Sequence, residues 1–161
     1  MVKEKEEIQE KPKIDFKAQG KKNRQKGIAF EAKVREDLMK MGWVVDKWTN
    51  TVDQDKNEKI GGIIPAKRKY NPFKKVLVIG TGFPDFICFK NTGQGFDIIA
   101  VEVKANGYLN QIEKGMCLWL LENKIFSRIL IAKKKQGQRK IEVEYDDFNK
   151  KYAHKFSPKP Q

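Results

Sequence analysis

The stretch Phe96 to Lys104 constrains this chain more than any other. Ile98-Ile99-Ala100-Val101 is apolar at every position, which suits a central strand covered on both faces and not a solvated edge. Glu102-Val103-Lys104 closes the run. Side chains alternate across a strand, so Glu102 and Lys104 project from the same side, and an acid and a base share one surface. Burying them is costly unless they pair or hold a metal. Upstream, Gly82-Phe83-Pro84-Asp85-Phe86 sets another acid just before a strand read as Asp85 to Lys90. Asn91-Thr92-Gly93-Gln94-Gly95 reads as a hairpin loop with enough glycine for positive φ, making the two strands antiparallel and bringing Asp85 and Glu102 to the same end.

These groups suit metal-assisted phosphodiester hydrolysis. That reaction needs charge on the phosphoryl oxygens neutralised, a nucleophile made from water and a leaving alkoxide stabilised, and carboxylate-held Mg²⁺ can serve all three. Asp85 and Glu102 are hard oxygen donors of the kind Mg²⁺ and Mn²⁺ prefer. Lys104 is suited to orient or activate the water, or to hold the scissile phosphate as a point charge. The competing readings are a surface ion pair for Glu102 and Lys104, which the preceding apolar run disfavours, and a plain turn for Pro84-Asp85.

Two further motifs flank these. Lys26-Gly27-Ile28-Ala29-Phe30-Glu31, followed by Val34, Leu38 and Gly42-Trp43-Val44-Val45, lies upstream, and Gln111-Ile112-Glu113-Lys114 lies downstream. With Pro84-Asp85 and Glu102-Val103-Lys104 they resemble, in order, the motifs of the PD-(D/E)xK nuclease superfamily, in particular archaeal Holliday-junction resolvases and the related VRR-NUC domains. The resemblance covers roughly Asn23 to Lys133. It implies a restriction-endonuclease-like α/β core, a mixed central sheet flanked by helices, and a Mg²⁺- or Mn²⁺-dependent DNA endonuclease, structure-selective in the resolvase manner. It assigns Asp85 and Glu102 to the metal, Glu31 on the first helix as an additional acidic ligand, Lys104 to the attacking water, and Gln111 to the neighbourhood of the phosphate or the metal-bound water. Lys114 is a candidate phosphate contact. The chain departs from the short resolvases in the long segment Thr49 to Lys75, which bears on substrate preference and dimer geometry.

The organisation expected is a charged flexible arm over 1–22, one domain over 23–149 with a basic insertion at 49–75, and a basic flexible tail over 150–161. The 161 residues and 39% apolar content suffice for one core. Phe30, Val34, Leu38 and Met41 mark a first helix over Asn23 to Met41, capped by Asn23; Leu109, Ile112, Met116 and Leu120 mark a second, ending near Asn123. Further strands are read at Trp43 to Trp48, Val76 to Ile79, Phe126 to Lys133 and Lys140 to Tyr145.

A formal charge of +13 points to a polyanionic partner. Within the insertion, Lys67, Arg68, Lys69, Lys74 and Lys75 surround Tyr70 and Phe73, which suits a loop that holds phosphates and stacks an unpaired base, or equally a basic loop packed on the body. Gly61-Gly62 lacks the spacing and Lys-Ser/Thr of a P-loop. No apolar run reaches the ~20 residues of a membrane span, and the N-terminus does not read as a signal peptide, so a soluble, intracellular, cytoplasmic protein is expected. Cys88 and Cys117 read as reduced core residues, and His154, the sole histidine, leaves no basis for histidine catalysis. Two alternatives stay open: a relaxed-specificity DNA or RNA nuclease of viral or mobile-element type, and a non-catalytic nucleic-acid-binding module. Paired incision of a symmetric junction needs two sites, so a homodimer accompanies the resolvase reading, with Trp48, Tyr70, Phe73 and Tyr108 as exposed apolar candidates.

Overall fold

The computed structural model describes residues 16–54, 60–71, 76–79, 82–137 and 139–156. In chain order these form α1 (Phe16–Lys40), β1 (Val44–Lys47), β2 (Asn50–Gln54), β3 (Ile60–Pro65), β4 (Arg68–Asn71), β5 (Val76–Ile79), β6 (Phe86–Asn91) and β7 (Phe96–Val103). α2 (Gln111–Glu122), β8 (Arg128–Lys134), β9 (Val143–Asp147) and α3 (Phe148–Phe156) complete the order. Strands β1, β6, β7, β8 and β9 make one mixed sheet in that order; β7 and β8 are parallel with α2 as their crossover, and the other neighbours are antiparallel. β2 pairs with β3, and β4 with β5, as two separate antiparallel ribbons. The chain is thus α/β, a mixed five-stranded sheet with three helices packed on it.

Alternation along β7 explains why its apolar run is unbroken. Ile99 and Val101 join Phe30, Val34 and Leu38 of α1, with Val45, Phe86, Cys88 and Ala132. Ala100 faces the other way, onto Met116, Cys117 and Leu120 of α2 and Phe148 and Tyr152 of α3. At ~1.5–3 kcal/mol for each large side chain buried, two covered faces give the sheet its main support. Both cysteines are buried and unpaired, as expected, and burial pushes the Cys88 thiol up to about 12. Among the described residues no helix is long and apolar enough to cross a membrane.

Several boundaries differ from expectation. α1 begins at Phe16, so Asn23 lies inside the helix and residues 16–22 of the expected arm are helical; residues 1–15 lie outside the description. Met41 is exposed, because Gly42 at φ +84 ends the helix and lets the Trp43 N–H reach the Leu38 carbonyl. In α2, Ile112 is exposed and Cys117 takes its place in the buried stripe. β9 starts at Val143 because Val143 and Tyr145 pack against the α1 side while Ile141 has no such seat. α3 occupies the start of the expected tail, anchored by buried Phe148 and Tyr152. The basic insertion, read as a loop, contains the β2–β3 ribbon and β4, with Val52 and Ala66 buried. Trp48 is half-buried, edge-on to Phe126 at 5.5 Å, so it is not an exposed contact; Tyr108 is exposed, the Tyr70 side chain and Phe73 lie outside the description.

Candidate active site

Phe86 pairs with Val101 across the β6–β7 ladder, so Asp85 and Glu102, the residues that continue it, stand opposite each other at the end of the sheet. Backbone donors lock them crosswise. The Asp85 N–H donates to Glu102 Oε2 at 3.1 Å, and the Val103 N–H donates to Asp85 Oδ2 at 2.9 Å. Each carboxylate therefore keeps one oxygen clear of the backbone, and each of those oxygens faces an ammonium group.

The two ammonium groups come from opposite faces. Val45 is buried on the α1 side, so Lys47, two residues on, rises on that face; its Nζ lies 2.7 Å from Glu31 Oε2 and 3.5 Å from Asp85 Oδ1. Glu31 arrives there because it follows Phe30, which anchors α1 to the sheet. Lys104 lies beyond Glu102 on the α2 side, with Nζ 3.2 Å from Glu102 Oε1 and 2.6 Å from Glu113 Oε1. Glu113 is fixed by a capping box at the start of α2. Its Oε2 accepts from the Asn110 N–H at 2.8 Å, while Asn110 Oδ1 accepts from the Glu113 N–H at 2.8 Å. One side chain thus satisfies a helix terminus and holds the site lysine.

Glu102 is the one charged side chain, among the described residues, that is buried, at 5% exposure. Burial pushes its carboxyl up to about 8; the neighbouring Asp85 charge adds to the rise and Lys104 opposes it. Asp85 is also raised, by burial foremost, against the Val103 N–H and Lys47. Burial favours neutral Lys47 and Lys104, but the hydrogen bonds that Lys47 donates to Glu31 and that Lys104 donates to Glu113 and Glu102, with the charges of those carboxylates and of Asp85, outweigh it, and both are raised. The directions across the Glu102–Lys104 contact therefore differ, Glu102 towards its neutral form and Lys104 towards its charged one. Burial foremost drives the first, and Glu113, at 2.6 Å the nearer anion, holds Lys104 charged.

Asp85 and Glu102, as hard oxygen donors, are the residues that would hold a divalent cation such as Mg²⁺. Among the described residues no three His, Cys, Asp or Glu side chains converge closely enough to hold a metal by themselves. Lys47 stands between Glu31 and Asp85, and Lys104 stands between Glu102 and Glu113.

Of the site residues read from the sequence, Glu31, Asp85, Glu102 and Lys104 gather at this end of the sheet. Gln111 opens α2 as an exposed side chain, and no hydrogen bond among the described residues joins it to the four. Lys114 lies over the Tyr152 ring, 4.8 Å from its centroid. Lys67 is exposed between β3 and β4; Arg68, Lys69 and Tyr70 form β4, their side chains outside the description, and Lys74 and Lys75 lie outside it altogether. Sequence reading missed Lys47 and Glu113. The Asn110-x-x-Glu113 spacing is a visible capping-box signal, whereas Lys47 carries only the alternation of a short strand. Comparison with protein-family models, with curated proteins and with solved structures finds no match.

Proposed function

We propose that this protein is a Mg²⁺- or Mn²⁺-dependent endonuclease that hydrolyses DNA phosphodiester bonds on a restriction-endonuclease-like core, with a preference for branched, resolvase-type substrates. The observation that carries this reading is the crosswise lock between Asp85 and Glu102, which fixes two carboxylates at a sheet end and leaves the buried one under-compensated. A cation held there would relieve that deficit. When bound, the metal supplies charge neutralisation at the phosphoryl oxygens and eases ionisation of water.

The chain's own residues do the rest. Lys104, anchored by Glu113, presents its ammonium beside Glu102 Oε1 and donates a hydrogen bond to water or to a phosphate oxygen. Lys47 presents a second ammonium from the other face, held by Glu31 beside Asp85. The two faces thus offer positive charge on both sides of a phosphate that meets the sheet end.

A second reading has its own observation. Each outward carboxylate oxygen already faces a lysine, which suits a non-catalytic nucleic-acid-binding module whose acids are neutralised internally. Cleavage of four-way junctions, flaps, duplexes and single strands of DNA and RNA, with Mg²⁺, Mn²⁺ or EDTA, separates the two. Metal-dependent cleavage that vanishes in Glu102→Gln is expected, strongest on branched DNA. Uniform cleavage of DNA and RNA substrates points to the relaxed-specificity nuclease, and binding without cleavage under either metal points to the module.

A further inference from the structure

Helix α1 is longer than the body it packs on. Its buried residues are Phe30, Val34 and Leu38, and every side chain from Phe16 to Ala29 is exposed, leaving about 21 Å of helix, or about four turns, outside the packed core. The sequence explains this, because the positions that continue the buried row back from Phe30 are Gly27, Asn23 and Gly20, which offer little to bury. Charge changes at the same boundary. Phe16 to Phe30 contains Lys17, Lys21, Lys22, Arg24 and Lys26 and no acid, whereas the docked part carries Glu36 paired with Lys33 and Lys40. Lys21 with Arg24, and Lys22 with Lys26, are like charges one turn apart, and two glycines weaken the same turns. A helix with these liabilities gains most from a polyanion alongside it.

We propose that these first four turns of α1 are an arm that docks in the major groove of duplex DNA and leads it to the Glu31 end of the site. Charge complementarity selects nucleic acid, and the arrangement of the charges selects a duplex. At ~100° per residue, Lys21 and Arg24 lie on one flank of the helix and Lys22 and Lys26 on the opposite flank. Two basic flanks match the two phosphate walls of a groove, whereas a single strand would engage one. A helix ~10–12 Å across also fits a major groove ~12 Å wide. The row Lys21, Arg24, Ile28, Glu31 then runs along one side of the helix, at alternating spacings of three and four, straight to the carboxylate that holds Lys47. The proposal rests on the nuclease reading only for the role given to Glu31.

The test is a salt titration of binding in EDTA, with the full chain and labelled duplex or single-stranded DNA of equal length. The variant carries Lys21→Gln, Lys22→Gln, Arg24→Gln and Lys26→Gln, and an equal-charge control carries Lys124→Gln, Arg139→Gln, Lys140→Gln and Lys150→Gln. For the arm variant the log–log salt slope on duplex should fall by roughly 2 to 4, at ~0.9 per phosphate contact, with the control changing by less than ~1. An unchanged duplex slope, an equal fall in the control, or an equal loss on single strands overturns the proposal. Cleavage by the wild-type chain with Mg²⁺ keeps the two readings apart: a lowered slope without cleavage leaves the arm and removes the nuclease, and cleavage with an unchanged slope does the reverse.

Discussion

Glu102 carries a carboxyl raised by burial to about 8 from an ordinary 4.5, so the folded chain holds its proton where the unfolded chain has released it. Stability from this group is fully present below the unfolded value and is lost as pH rises through the folded one. Metal-free protein should therefore lose stability between about pH 5 and pH 8, on the order of a few kcal/mol, Glu102→Gln should lack this loss, and Mg²⁺ should recover it in the wild type alone. Thermal unfolding across pH checks this, and equal slopes in both proteins would refute it. Lys104→Ala should slow cleavage by ~10²-fold or more while binding stays within a few-fold. Glu113→Gln separates the two duties of its residue: glutamine can complete a capping box, so the melting temperature should hold, while Lys104 loses its nearer anion and the single-turnover rate falls by roughly tenfold. A fall in melting temperature with no change in rate would leave Glu113 a cap alone.

Elements position these groups, and two sets of glycines test how. Gly82 lies against the carbonyls of Trp48 and Asn50 with no room for a Cβ, and the next N–H, of Phe83, donates to Asn50 O at 2.9 Å. Gly82→Ala should displace the Pro-Asp turn from β1 and β2, costing ~1–3 kcal/mol in thermal unfolding and most of the cleavage, because Asp85 moves with it. Stability and rate equal to wild type would detach the turn from the site. Gly20 and Gly27 meet nothing within 4 Å, so Gly20→Ala and Gly27→Ala should each favour the projecting helix by up to about 1 kcal/mol, read as slower amide exchange over 16–29 and unchanged exchange in β7. The same contrast explains what the sequence made legible. β7 and the Asp85–Glu102 pairing announced themselves because a run buried on both faces shows no polar interruption and alternation is strict. Residues 16–22 of α1 bury nothing, so no apolar period marked them as helix. Within Thr49 to Lys75 the polar Asn50, Thr51, Asp53 and Gln54 hid β2, Gly61-Gly62 hid β3, and Arg68 and Lys69 hid β4. Lys47 was invisible for a different reason, since its meeting with Glu31 and Asp85 depends on how α1 lies across the sheet end.

At the scale of the whole molecule, the net charge of +13 speeds encounter with a polyanion and makes that encounter salt-dependent, but it does not set how many chains act together. Geometry sets that. One chain carries one Asp85–Glu102 pair; under the proposed nuclease function such a pair would cut one strand at a time, and incising a symmetric four-way junction on both sides would require two pairs related by a two-fold axis. Trp48 is taken up against Phe126, so the exposed apolar surface for such a pairing comes from side chains such as Tyr108 and, on the edge strand β1, Val44. If the resolvase reading holds, light scattering at micromolar concentration in EDTA should give two chains per four-way junction, whether they pair before binding or on it. A single chain per junction, with metal-dependent cleavage intact, would keep the Asp85–Glu102 site and reject junction resolution in favour of nicking one strand at a time.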